Sequence, residues 1–158
     1  MTWTVGTRTS SSEETRRLAA SLAGVARRGD VVVLAGPLGA GKTTFAQGFA
    51  RGLGVAGPVT SPTFTLVRQY PCVLGQLVHA DVYRLDHLAE VSDLGIAELV
   101  EEGVALVEWG DVAARVLDPV TWTVRLDAQG DDVRSVTVSG DDEGRRADVA
   151  MAVAAGAP

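Results

Sequence analysis

The residues with chemistry to offer start at Gly36-Pro37-Leu38-Gly39-Ala40-Gly41-Lys42-Thr43-Thr44. The pattern G-x-x-x-x-G-K-[ST] is that of a P-loop, whose backbone N–H groups wrap a triphosphate while the lysine reaches the β- and γ-phosphates. Lys42 is the only lysine among 14 basic residues; all the others are arginine. A chain that uses arginine everywhere else needs a compact ammonium here, because a planar guanidinium is too wide to enter a ring of amides. The chemistry this loop points to is binding of a nucleoside triphosphate. Hydrolysis or transfer also requires Mg²⁺ and a group that positions the attacking nucleophile. The Thr43 hydroxyl, directly after the lysine, is placed to meet Mg²⁺.

The second metal-side group is expected to be an acid at the end of a buried strand. Val104-Ala105-Leu106-Val107-Glu108 fits this well, and Leu77-Val78-His79-Ala80-Asp81 fits it with a histidine in the run. Strand ends in open α/β sheets converge on the ligand crevice, so both carboxylates are candidates to face the phosphates. The alternative for each is a solvated strand end. One acid would hold Mg²⁺ and the other would orient a water, and the residues alone do not divide those roles. Thr60-Ser61-Pro62-Thr63-Phe64 lies where a nucleotide switch segment would lie, and a plain proline turn explains it equally well. His79 reads as a packed strand residue, since no second histidine or cysteine stands at ligand spacing. Arg84, near Asp81, is either a phosphate-side cation or a solvated helix-start residue, Trp109 equally suits a core position, and Cys72 has no activating base nearby in sequence.

The elements that must position these groups follow from periodicity. Asp30 to Ala35 is a continuous apolar run after its first residue, too short for a helix, and reads as a strand buried on both faces. The glycine-rich loop follows it, and Phe45, Phe49 and Leu53 then make a helical stripe that ends at Gly52-Leu53-Gly54. A strand before the motif and a helix after it are the context that supports it. Upstream, Thr2 to Thr7 reads as a strand, and Ser11 to Glu14 as a capping box with Ser11 as N-cap. The helix it opens carries Leu18, Leu22 and Val25 and closes at Arg27-Arg28-Gly29. Downstream, strands are expected over 65–69, 77–80 and 104–107, with a helical stretch after Tyr83-Arg84-Leu85 and a short helix over 96–100. Thr121 to Leu126 and Val133 to Val138 alternate cleanly and predict a hairpin with one wet face. A last helix runs from about Glu143 to Ala154, with 155–158 frayed.

The fold class is therefore α/β: a P-loop NTPase three-layer sandwich, its central sheet mostly parallel and extended by a C-terminal antiparallel hairpin. At 158 residues the chain fits a single domain spanning 1–158. A formal charge of −6 argues against a broad nucleic-acid surface, which needs a basic patch. One cysteine forms no internal disulfide, so the expected compartment is the cytoplasm. No signal segment or membrane-length apolar run is present in the sequence.

Taken in order and spacing, Gly-Pro-Leu-Gly-Ala-Gly-Lys-Thr-Thr, Thr-Ser-Pro-Thr-Phe, His79-Ala-Asp81-Val-Tyr83-Arg84-Leu85 and Val-Glu108-Trp109 resemble the bacterial TsaE family. The resemblance runs from about Ser11 to Arg134. It implies a small Mg²⁺-dependent ATPase that joins the proteins TsaB and TsaD. Those partners transfer a threonylcarbamoyl group to the adenosine beside the anticodon of tRNAs reading codons that begin with A. ATP hydrolysis, weak alone and faster in the complex, would reset the machine between turnovers, with tRNA met only through the complex. By similarity, Gly39 to Thr44 would bind ATP, Thr43 and Glu108 would hold Mg²⁺, and Asp81 would be essential to hydrolysis. Thr63 would act as the switch residue and Trp109 would support the site. Ser11 to Thr15 would lie near the adenine, with Arg134 on the other side of the nucleotide. Many members carry an acid where this chain has Pro37, a position expected to contribute chiefly backbone.

Two other classes compete. A small-molecule P-loop kinase would need an arginine-rich lid, and no stretch after Glu108 reads as one. A regulatory GTPase would need N-K-x-D to read guanine, and the only lysine is already committed.

Overall fold

The run Val31-Val32-Val33-Leu34-Ala35 has no polar side to turn toward water, and it occupies the middle of a sheet with every residue buried. The structure, a computed structural model, describes residues 2–37, 39–60, 67–81, 95–108, 117 and 120–156. Within these, the strands are β1 (Trp3–Thr9), β2 (Val31–Ala35), β3 (Val67–Cys72), β4 (Gly75–Asp81), β5 (Gly103–Glu108), β6 (Trp122–Ala128) and β7 (Arg134–Gly140). The helices are α1 (Ser12–Ala23), α2 (Lys42–Gly52), α3 (Ile96–Leu99, which runs on into a 3-10 turn) and α4 (Glu143–Gly156).

One sheet joins the strands in the order β1-β7-β6-β2-β5-β4-β3. The α/β class holds. The parallel character belongs to the four central strands, where β2 pairs with β5 and β6 and β4 pairs with β5. The expected C-terminal hairpin is β6–β7, and β1 adds to it antiparallel at the edge. A second hairpin, β3–β4, closes the other edge. Pro71 sits within β3, tolerable because an edge strand has one side without a ladder.

Strand alternation divides the core between two faces. Val32, Leu34, Leu77, Leu106, Trp122, Val124 and Leu126 face one side with Leu18 and Leu22 of α1, Phe45 and Phe49 of α2, and Val149 and Val153 of α4. Val31, Val33, Val78, Ala80, Ala105 and Val107 face the other, under Ile96, Val100 and Leu117. Helices α1 and α2 meet almost backbone to backbone. A Cβ at Gly48 would lie 2.2 Å from the Arg16 carbonyl oxygen, and one at Gly52 would lie 2.6 Å from that of Ala20.

Several boundaries differ from the sequence expectation. Helix α1 stops at Ala23, short of Arg27-Arg28-Gly29, because beyond Gly24 the chain tightens to three-residue bonds, Val25 N to Leu22 O and Ala26 N to Ala23 O. The capping box forms with Ser11 Oγ accepting from Glu14 N at 3.1 Å, but the Glu14 carboxylate accepts from Ser10 N, one residue before the cap. Helix α4 continues through Ala155 and Gly156, where fraying was expected. Its end is tied to α1: Ser21 Oγ donates to Ala152 O at 2.7 Å, and Gly156 is buried. β1 extends to Thr9, held by its ladder to β7, and β6 and β7 each run two residues past the expected ends.

Asp30, expected as the first strand residue, is instead a buried anchor. Arg145 donates to its two oxygens at 3.0 and 2.7 Å and to Val25 O at 3.1 Å. The guanidinium also stands 5.1 Å over the Trp122 ring. The hydrogen bond from Arg145 to Asp30 holds the guanidinium above its already high ordinary pKa, against the opposing effect of burial.

Candidate functional site

Between β2 and α2 three of the described residues have positive φ, and all are glycine: Gly36 at 137°, Gly39 at 80° and Gly41 at 99°. Gly41 is the N-cap of α2 and offers no capping side chain, so the positive end of the helix is presented to an anion by backbone alone. Lys42 is buried and folds back over the loop, its Nζ donating to Gly36 O at 2.7 Å and Pro37 O at 3.0 Å. Pro37 thus contributes its carbonyl, in keeping with a backbone role. Thr43 is exposed on the first turn of α2, with Thr44 half-buried beside it and Ala40 buried beneath the loop.

Asp81 and Glu108 close β4 and β5 as directly paired residues, and Glu108 is paired on its other side with Leu34 of β2. Both carboxylates therefore stand at the strand ends beside the point where β2 leaves the sheet to enter the loop. Each is buried, Asp81 at 5% exposure and Glu108 at 3%, so neither is a solvated strand end. A buried carboxylate needs partners. Glu108 has one that sequence reading did not supply: His79 Nε2 lies 2.6 Å from its Oε2. His79 is fully buried, as expected of a packed strand residue, but it packs against the site and not only against the core. Strand periodicity carried the signal, because residues two apart share a face and His79 therefore shares one with Asp81.

At the other flank, Arg134 anchors on the β6–β7 turn through Val133 O at 2.9 Å and reaches Gly39 O at 3.5 Å. It lines a small hollow with Ser12, Thr15, Gly41, Thr44 and Asp132. Ser11 spends its hydroxyl on the α1 cap, and the buried Thr15 hydroxyl lies 2.7 Å from that of Thr9. Ser12 falls within the Ser11–Thr15 segment expected there, whereas Asp132 was missed in the sequence, where nothing sets it apart from other surface polar residues. Thr63, Tyr83, Arg84 and Trp109 lie outside the described residues.

The donor set suits Mg²⁺ held with a triphosphate. Among the described residues no three His, Cys, Asp or Glu side chains converge as a metal cage. Mg²⁺ needs fewer protein ligands than that, because it is bound by one or two carboxylates, retained waters and substrate phosphates. Thr43 at the loop exit and Glu108 at the neighbouring strand end are a hydroxyl and a carboxylate of the right hardness for it. No helix of the described residues is long and apolar enough to cross a membrane.

Comparison with known proteins places the chain in a family. The family model described as threonylcarbamoyl adenosine biosynthesis protein TsaE matches residues 9–136. The tRNA threonylcarbamoyladenosine biosynthesis protein TsaE of Bacillus subtilis is 44% identical over 131 residues, covering 82% of each chain. The protein of the same name from Streptomyces coelicolor is 44% identical over 133 residues, covering 79% of this chain and 89% of its own. The crystal structure of Bacillus subtilis YdiB superposes with a TM-score of 0.80 at 36% identity, covering 96% of this chain and 95% of that one. The chain belongs to the TsaE family of tRNA threonylcarbamoyladenosine biosynthesis proteins.

Proposed function

We propose that this chain is a Mg²⁺-dependent ATPase that works with TsaB and TsaD in the cytoplasm. It would support formation of threonylcarbamoyladenosine beside the anticodon of tRNAs reading A-starting codons, its hydrolysis resetting the complex between turnovers. The observation that carries the reading is the buried Lys42 seated on the loop carbonyls, with Asp81 and Glu108 paired at adjacent strand ends. Lys42 is already desolvated and aimed, and exchanging the Gly36 and Pro37 carbonyls for anionic phosphate oxygens strengthens its hydrogen bonds. The backbone N–H groups after Gly41 would take the phosphates, and Arg134, Thr15 and Ser11 would flank the nucleoside side.

Mg²⁺, held by Thr43 and Glu108, would neutralise charge developing on the phosphate oxygens. Asp81 would orient the attacking water, its carboxylate accepting a hydrogen bond from it. Thr63 would act as the switch residue that senses the γ-phosphate, and Trp109 would support the site.

ATPase turnover measured with and without TsaB, TsaD and tRNA tests this. Weak turnover alone that rises on adding the partners is expected, and full turnover alone, indifferent to them, would contradict it. Glu108→Ala should lower hydrolysis on the order of 10²-fold while leaving Mg²⁺-free nucleotide binding in place. Unchanged turnover of that variant would remove Glu108 from the mechanism.

A further inference from the structure

We propose that His79 is a positioning residue for Glu108: its Nε2–H pins one carboxylate oxygen, so that the other is turned toward the loop. This rests on the nucleotide reading above and adds a residue to it.

The two side chains come from adjacent parallel strands. Glu108 is in register with Asp81 and His79 with Leu106, so the imidazole stands two residues further back along the sheet. It therefore approaches the carboxylate from the core side, opposite to the glycine-rich loop. The 2.6 Å separation is at the short end for a charge-assisted hydrogen bond. With the carboxylate ionised, as a Mg²⁺ ligand must be, the proton in this contact belongs to Nε2. Side-chain exposures of 0% and 4% leave water little opportunity to replace it.

An aliphatic side chain would suit position 79 better if packing were its only task. The neighbours on that face, Leu77 and Leu106, belong to the hydrophobic core. The other ring nitrogen, Nδ1, has no hydrogen-bond partner among the described residues. Glu108 is thus the polar contact that accounts for a histidine here. A glutamate has three side-chain torsions, and fixing one oxygen removes much of the freedom that would otherwise be lost on binding the metal. Groups that orient a metal ligand in this way typically change metal affinity by about 10–100-fold when removed.

The test is titration of a non-hydrolysable ATP analogue, in EDTA and across a Mg²⁺ series, on the native chain and on His79→Leu, His79→Gln and His79→Asn. Thermal unfolding would confirm that each is folded. In EDTA all four should bind alike. With Mg²⁺, His79→Leu and His79→Asn should need about 10–100-fold more metal for the same gain in affinity. His79→Gln places an amide N–H where Nε2 stands and should stay within a few-fold of native, whereas the shorter asparagine should not. A His79→Leu protein with the native Mg²⁺ requirement overturns the proposal. Should that variant not fold, equal Mg²⁺ requirements of the glutamine and asparagine variants overturn it. A native chain that binds no nucleotide in either condition removes the nucleotide reading and this inference together. Native Mg²⁺-dependent binding with an insensitive His79 series removes the inference alone.

Discussion

At the scale of single residues, Lys42 and Arg145 show how a cation is chosen by the shape of its acceptors. Lys42 meets two carbonyls of one tight loop, a setting for a point charge on a flexible stem. Lys42→Ala should abolish measurable ATP binding. Lys42→Arg should weaken it at least about tenfold, since a planar fork does not fit the same two oxygens. Calorimetric titration decides this, and native affinity in the arginine variant would show that charge alone suffices. Arg145 meets both oxygens of Asp30 as a planar fork, with side-chain exposures of 7% and 8%. Arg145→Ala would leave a buried carboxylate without its counter-charge and should cost about 3–5 kcal/mol in urea unfolding. A loss under about 1 kcal/mol would mean that the pair is solvated in solution.

At the scale of elements, the contact between α1 and α2 sets the position of the loop. Gly48 and Gly52 are poor helix formers by propensity, and Ala at either would be favoured by about 1 kcal/mol in an isolated helix. Here a Cβ would strike the backbone of α1. Gly48→Ala should therefore destabilise the fold by about 1–3 kcal/mol despite its better propensity. It should also weaken nucleotide binding, because α2 begins at Lys42. A higher melting temperature for this variant would disprove the close contact. The stripe Phe45-Phe49-Leu53 was readable from its spacing, since all three are buried. The glycine face was not, because helical periodicity registers apolar bulk and is silent about where a side chain must be missing. The same holds for the end of α1: Arg27-Arg28-Gly29 is a good stop signal, yet a weaker one at Gly24 acts first.

At the scale of the whole molecule, binding and folding are linked. A ligand that binds only the folded chain adds about 2.7 kcal/mol of stability at a hundredfold excess over its Kd. For a chain of this length that corresponds to a rise in Tm of roughly 5–10 °C. Differential scanning calorimetry with Mg²⁺-ATP should show it, and Lys42→Ala should not. No rise in the native chain at saturating nucleotide would contradict the proposed function. The net charge of −6 also predicts that the chain alone does not retain tRNA at physiological salt. Tight binding in a filter assay without TsaB and TsaD would refute that.

What the sequence determined by itself is what neighbours along the chain decide. The loop and its lysine, the Ser11 cap, the fully apolar strands and the acids that end them are local signals, each written within a few residues. Tertiary structure decided which strand lies beside which. Only the β4–β5 register sets Asp81 against Glu108 and brings His79 to its carboxylate. Only the return of α4 carries Arg145 to Asp30, 115 residues away, and only the β6–β7 hairpin brings Arg134 to Gly39, 95 residues away. Periodicity tells which face of an element is buried. It does not tell against what, because many pairings bury similar apolar area and the choice among them rests on the summed packing of the whole sheet.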